Sequence, residues 1–464
     1  MPSARTHTAA LAGTGAHVIE AGADITDCPP GMVLAGLPDN ALREARDRIR
    51  AAIINSGHAW PSRQITVQLS PARLPQQASR ADLAIAVAVL AASGAVPAEA
   101  AAGVMFLGEL GLDGRLRPVR GVLPAVAAAA RAGFSTVIVA AENTAEAALV
   151  PGMAVMSSGT LTQVAEWLRG DRPAGTAGTD GHGTADAEPA GPVRVLAVTG
   201  SAGHGAVSGS CLPRDHPQAL QATEICAAGG HHLSLLGPPG APMAAAAAQV
   251  RDLLPDLARE QALEVTTIYS LAGTLRPDTP LITRPPLVAP HHTATMAAIT
   301  GGGPAVIQPG AASLAHRGVL FLDQAPRYER DVLSALRQPL ESGEITLARS
   351  GITVTFPARF ILVIAASPCP CGEAAGPAGS CSCSPATRRR WLGRVSGPLL
   401  DRVDVKTGLH PAARTGPASD HGLAGHGPVV AHRVAAARQR AAARLAGTRW
   451  LLNAEVPAAE LRRR

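Results

Sequence analysis

The sequence predicts an α/β multidomain protein, and three observations carry that prediction. Strand and helix signals alternate through residues 1–171. A stretch without apolar period, "DRPAGTAGTDGHGTADAEPAGP" at 171–192, then interrupts them. Beyond it a helix, a strand and a phosphate-type glycine loop come in the order a P-loop fold requires. The boundaries that follow are an α+β or α/β domain at 1–171, a flexible linker at 172–212, a second α/β module at 213–406, and a linker with a partial helical segment at 407–464. A chain of 464 residues is long enough for two or three cores of ordinary size.

In the first domain "RQITVQL" alternates polar and apolar residues and reads as a strand. "ADLAIAVAVLAASG" is a helix closed by glycine, "GVMFLGEL" a strand, "GVLPAVAAAARAG" a helix and "TVIVA" a strand. In the second, "ATEICAAGGHHLSLLGPPG" gives helix, strand and loop, and "GVLFLDQ" is a buried strand. A helix over "RDVLSALRQPLESG", a hairpin over "EITLARSGITVTF" and a strand over "ARFILVIAAS" follow. Residues 407–428 are again linker-like, and "VAAARQRAAARLAG" is one further helix.

Hydrophobic residues make up 47% of the chain but aromatic ones only 2%, so the apolar content is largely alanine. Lys406 is the one lysine among 41 basic residues, and this bias weakens any argument from arginine alone. The formal charge of +6 permits nucleic-acid binding but is mild for this length. No charged segment followed by an apolar core opens the chain, and the most apolar stretch is broken by Asp82, Gly94, Pro97 and Glu99. The expectation is a cytoplasmic protein without a membrane partner. Cys28, Cys211 and Cys226 are scattered and the other four cysteines clustered, which suits metal better than disulfides.

Residues 237–247, "GPPGAPMAAAA", begin the nucleotide loop G-x-x-x-x-G-K-[ST] and then leave it. Gly237, Pro238, Pro239, Gly240 and Ala241 fill the first half, but Pro242, Met243 and Ala244 stand where a glycine, a lysine and a hydroxyl are needed. The lysine reaches the outer phosphates and the hydroxyl holds Mg²⁺, so both functions are absent. Proline also removes one amide donor from the cradle. A charge-assisted hydrogen bond contributes roughly 1.5 to 3 kcal/mol, so losing the lysine alone weakens phosphate binding about tenfold to a hundredfold. At the tip of "LFLDQ", Asp323 supplies the carboxylate for Mg²⁺, but the neighbour is Gln324, an amide that cannot take a proton. Hydrolysis by the usual route is therefore lost at two independent places.

Cys369, Cys371, Cys381 and Cys383 lie within 15 positions and can surround one tetrahedral Zn²⁺. A reduced unligated cluster and a redox role stay open beside that reading. The pairs His231–His232 and His291–His292 are read as packing groups, because adjacent histidines point apart and lack acidic partners at ligand spacing. Arg394 is placed on the last turn of a basic helix, and Arg402 reads as a local ion pair with Asp401 or Asp404. Arginines 388–390, 394, 433, 438, 440 and 444 are the residues through which DNA would be bound, or they solvate helices.

Seven stretches in order, among them "LAGLPDNALREARDRIRAAIINSG", "LGELGLDGRLRPVRGVLPAV", "RPPLVAPHHT", "SLAHRGVLFLD" and "SGPLLDRVDV", resemble the ComM/YifB family of Mg-chelatase-like AAA+ ATPases over nearly the whole chain. The resemblance implies an N-terminal α+β domain with the fold of Lon-type proteolytic domains. It also implies an AAA+ P-loop-type three-layer α/β module, with the helical lid truncated here. It further implies ATP and Mg²⁺ as cofactors, hexameric rings, and ATP-dependent branch migration of DNA. Departures from the family pattern gather at the chemistry. They are the loop at Pro242, Met243 and Ala244, Gln324 for the usual glutamate, Ser367 for the asparagine that senses the γ-phosphate, Val288 for an arginine, and the short lid. Arg394 falls where such rings present an arginine finger to a neighbour. The helix in "VRGVLPAVAAAAR" lacks the lysine a Lon-type peptidase needs, so proteolysis is not expected. Three readings follow. They are a degenerate AAA+ protein that binds DNA or a partner, alone, as a homo-hexamer or in a mixed ring with an intact paralogue, a working DNA-dependent ATPase with an unusual loop, and a relic.

Overall fold

The computed structural model describes residues 3–35, 39–71, 78–171, 216–278, 280–303, 307–349, 352–373, 381–395, 397–409, 426–457 and 460. The linker expected at 172–212 and residues 410–425 of the second linker lie outside them. The chain divides into two compact units, Met1–Glu188 with Thr266–Leu281, and Pro189–Val265 with Ile282–Arg464.

The first unit is built on a seven-stranded mixed sheet. Its strands are β1 (Ser3–Ala12), β2 (Gly15–Thr26), β3 (Gly31–Ala35), β4 (Gln64–Ser70), β5 (Val104–Leu107), β6 (Thr136–Ala140) and β7 (Ala154–Ser158), in the order β3-β4-β2-β1-β5-β6-β7. β1 and β2 form an antiparallel hairpin with Thr8 opposite Ile19, while β1, β5, β6 and β7 run parallel. Helices α1 (Asp39–Asn55), α2 (Asp82–Ala92), α3 (Val122–Arg131) and α4 (Leu161–Arg169) accompany it. Every residue of α2 is buried, which fits a helix that is apolar all round except at its first position. There Asp82 sits in the first turn, where the helix dipole favours an anion, and Arg48 grips it through Nε at 2.6 Å and NH2 at 3.2 Å. Burial nevertheless pushes the Asp82 carboxyl up to about 7 against the pull of Arg48. The end of the helix Arg259–Ala272 belongs to the same unit, and Ser270 donates its hydroxyl to the buried Glu146 carboxylate.

The second unit carries a five-stranded, wholly parallel sheet. Helix α5 (Pro217–Gly229) leads into β8 (Leu233–Leu236), and helix α6 (Met243–Leu253) follows the loop after it. The remaining sheet strands are β9 (Leu287–Val288), β10 (Val319–Leu322), β13 (Ile361–Ala366) and β14 (Val405–Gly408), in the order β9-β10-β13-β8-β14. "VLFL" and "ILVIAA" are buried at every position, the continuous apolar pattern of strands covered on both faces. Ala219, Ala222, Cys226, Ala246, Ala247 and Val250 pack in the same core, and their small side chains let both helices approach the sheet closely. β9 and β10 meet through Val319, whose amide donates to Pro286 O at 2.8 Å, immediately after Gly318.

β11 (Glu344–Arg349) and β12 (Ile352–Pro357) form the expected hairpin, with Ile345 opposite Phe356. The single helix expected just before it is instead two, Arg330–Ala335 and Arg337–Ser342. Pro339 explains the break, since it has no N–H for the Ala335 carbonyl and its ring crowds that oxygen. Farther on, α7 (Pro385–Leu392) and α8 (His426–Leu445) complete the unit, Val434 of α8 packing against Ala227 and Leu253.

His232, just before β8, accepts the Leu362 amide of the neighbouring strand on Nδ1 at 3.0 Å. Burial pushes its pKa down from 6.5 to about 4. The unfolded chain therefore takes up this proton first as pH falls, so stability should be complete above about 6.5 and decline between 6.5 and 4. A melting-temperature profile should show that decline, and His232→Asn, which retains an acceptor but does not titrate, should flatten part of it. An equal acid dependence in the two proteins would refute the assignment.

Candidate functional site

In parallel α/β sheets ligands bind outside the carboxyl ends of the strands. That edge here gathers the loop after β8, Asp323 and Gln324 after β10, and Ser367 after β13. The register aligns them, with Leu236 opposite Ala366 and Leu322 opposite Ile364. Gly237 donates its amide to Ala366 O at 3.1 Å. A Cβ on Gly237 would meet Leu409 O at 2.8 Å, so close backbone approach requires this glycine regardless of any ligand.

The loop has little left with which to cradle phosphate. Pro238, Pro239 and Pro242 carry no N–H. Gly237 is committed to Ala366, the Ala241 amide donates to Pro238 O at 3.1 Å, and the Met243 amide donates to Ala241 O at 2.8 Å. Those two groups account for six of the eight residues from Gly237 to Ala244. The Met243 side chain adds to the closure, its Cε lying 3.1 Å from where a Gly237 Cβ would stand. An apolar methyl thus folds back over the loop where an ammonium group would reach outward. Pro242 caps α6 with no side-chain acceptor for the helix amides.

Asp323 is exposed at the tip of β10, and Gln324 beside it is also exposed and left-handed, with φ 50°. Such a φ in a residue with a Cβ costs of order 1 kcal/mol or more. Asp323 can hold a hydrated cation, but the amide of Gln324 cannot serve as a base. The Ser367 hydroxyl donates to Cys369 O at 2.9 Å and is thereby turned to the cysteine-bearing turn. Val288 is fully buried in β9.

The four cysteines do converge. Their ligand atoms lie within 4.8 Å of one another, with Sγ separations of 3.2 Å for Cys369–Cys371, 3.6 Å for Cys369–Cys381, and 3.5 Å for Cys371–Cys381 and for Cys371–Cys383. No other group of this kind occurs among the described residues. The turn that carries the first two touches the phosphate-type loop, since Gly372, at φ +84°, would place a Cβ 2.3 Å from Pro239 Cγ. Trp391 of α7 donates Nε1–H to Ser367 O at 2.9 Å. Neither contact was foreseen from the sequence, although the glycine after "PCPC" was the available signal.

Several expectations need correction. The rings of His291 and His292 do not point apart, for their centroids lie 4.0 Å from each other. His231 and His232 do diverge, His231 reaching Asp404 at 2.8 Å. Arg402 pairs with Glu341 at 2.8 Å rather than with Asp401 or Asp404. Arg394 is not on the last turn of α7, which ends at Leu392, but in the turn after it, exposed. Of the α8 arginines, Arg433 grips Glu224 with two bonds of 2.8 Å, Arg438 is largely buried and donates to Ala227 O at 2.7 Å, and Arg444 bonds Asn453. Those three hold α8 to its neighbours, which leaves Arg440 exposed on that helix and Arg389, Arg390 and Arg394 exposed at α7.

A parallel sheet with a loop-to-helix turn after its first strand and an aspartate after the strand next but one to it defines an AAA+-like α/β module. Comparison with known proteins agrees. The family described as magnesium chelatase, subunit ChlI, matches residues 214–415, and that described as subunit ChlI of Mg-chelatase matches residues 22–143. An uncharacterised protein of Mycobacterium tuberculosis is 47% identical over 466 residues, covering 100% of this chain and 88% of its own length. YifB of Escherichia coli is 39% identical over 436 residues, 94% of this chain and 81% of that protein. The competence protein ComM of Haemophilus influenzae is 38% identical over 405 residues, 87% and 76% respectively. The chain belongs to the ComM/YifB family of Mg-chelatase-like proteins. Among its described residues no helix is long and apolar enough to cross a membrane.

Proposed function

We propose that this chain keeps the AAA+ architecture as a binding module and does not hydrolyse ATP. The observation that carries this reading is the closed loop, in which prolines and internal hydrogen bonds dispose of six of eight amides and Met243 replaces the ammonium group. Gln324 beside Asp323 at the end of β10, and the Ser367 hydroxyl committed to Cys369 after β13, support it. The Lon-protease-like N-terminal domain then serves assembly and contact. DNA is the favoured ligand, through the exposed Arg389, Arg390, Arg394 and Arg440, in a family that includes the competence protein ComM.

Two measurements test the reading. Phosphate release by the purified chain with ATP and Mg²⁺, with or without DNA, should stay at background, and turnover that persists through successive purification steps would establish a working ATPase instead. Binding to a labelled DNA junction should weaken with salt, and Arg389→Ala with Arg390→Ala should reduce the log–log slope by about 2. A flat salt response would exclude DNA. A second reading rests on Arg394, exposed and without an ion pair among the described residues. In a mixed ring with an intact paralogue it would act on the neighbour's ATP, and Arg394→Ala should then lower the turnover of the mixed ring alone.

A further inference from the structure

Helix α7 poses a physical problem. It has eight residues, "PATRRRWL", and none of them is buried. Isolated helices of this length are unstable in water, and most helical stability in proteins comes from packing an apolar face. Ser384 caps the first turn, accepting the Thr387 amide at 3.2 Å, which is worth about 1 kcal/mol and does not supply a core. The contacts that place the helix lie at its two ends. At the far end Trp391 donates to Ser367 O, and at the near end Cys383 immediately precedes the Ser384 cap.

We propose that Cys369, Cys371, Cys381 and Cys383 hold one tetrahedral Zn²⁺ whose role is to anchor α7 to the carboxyl edge of the parallel sheet. Zinc–thiolate bonds of about 2.3 Å in a regular tetrahedron put sulfurs about 3.8 Å apart. The observed separations of 3.2 to 3.6 Å already approach that value, whereas a disulfide would require about 2.05 Å. Binding releases four thiol protons to solvent and leaves a complex of charge −2. Arg388, on the first turns of α7, places a cation near the Cys381 sulfur and so beside that charge. Two ligands come from the turn after β13 and two from the residues before α7, so the metal closes the chain between them and removes the entropy of that connection. The same turn abuts Pro239 through Gly372 and engages the Ser367 hydroxyl through Cys369 O. The metal therefore props the phosphate-type loop and the basic helix from one point, and it needs no nucleotide to do so.

The full chain, purified without chelator, should contain one zinc per molecule by elemental analysis. Cys371→Ser and Cys383→Ser should each lose most of it, while Cys28→Ser, at an exposed cysteine outside the cluster, should keep it. Trypsin supplies a readout separate from metal content. Arg388, Arg389 and Arg390 should resist cleavage in the loaded protein and become the earliest sites cut after chelation, with resistance restored by added zinc alone. Replacing zinc by Co²⁺ should give the intense visible bands of a tetrahedral thiolate complex, which verifies the geometry even if a serine variant fails to fold. Metal-free protein with four titratable thiols in the cluster, or a disulfide there by mass, would overturn the proposal. So would zinc whose removal leaves cleavage at α7 unchanged.

Discussion

Restoring Pro242→Gly, Met243→Lys and Ala244→Thr together should turn a chain that gives no saturable heat with ATP and Mg²⁺ into one that binds. The lysine alone should contribute about tenfold to a hundredfold, from roughly 1.5 to 3 kcal/mol for one charge-assisted bond. Glycine adds an amide and frees the turn, and threonine adds an oxygen for Mg²⁺. The combined gain should exceed about a hundredfold, measured by calorimetry on both proteins side by side. Turnover should remain absent even then, because Gln324 is untouched and its amide cannot take the proton from the attacking water. If both proteins bind ATP equally, the closed loop is not the barrier and some other group has taken the lysine's place.

Gly318→Ala should be the most damaging single methyl in the second unit. A Cβ there would stand 2.0 Å from Pro286 O and 2.7 Å from Pro286 N, all of it backbone that cannot rotate aside. The same oxygen accepts the Val319 amide that joins β9 to β10, and Gly318 O accepts the Ile361 amide that joins β10 to β13. One methyl thus strains both seams that β10 makes, beneath Asp323. Overpacking ordinarily costs about 1 to 3 kcal/mol, and rigid neighbours place this case at or above the upper end. Gly397→Ala, with nothing within 4 Å of its added carbon, should change the denaturation midpoint little. Similar midpoints for the two variants would show that the seams yield more easily than the geometry implies.

Much of the second unit was legible because its strands are short continuous apolar runs. "VLFL" and "ILVIAA" read as strands covered on both faces of a parallel sheet, and the acidic tip follows the first of them in sequence. The opening hairpin of the first unit was not legible. Its buried positions include Ala4, Ala9, Ala10, Ala21 and Ala23, and alanine has no preference for strands, so alternation leaves no signal. The break at Pro339 could have been read, since a proline inside a helical pattern is itself the signal. The arginines could not. Arg433 and Glu224 are 209 positions apart, and nothing local distinguishes a guanidinium that clamps two helices from one that faces solvent. Composition made the error easy, because basic residues that fasten and basic residues that bind are here almost all arginine.

The solitary lysine has a practical corollary. Lys406 is exposed on β14, an edge strand, with Lys406 opposite Ser234 and Thr407 opposite Leu235. A lysine-specific endoprotease has one bond to cut in the entire chain, Lys406–Thr407, and a protease cleft accepts only an extended segment released from its neighbours. The rate of that single cut therefore reports the fraction of time the sheet's edge is peeled away from β8 at low protease, and the frequency of peeling at high protease. It would report the breathing of this one strand without label, mutation or interference from any other site.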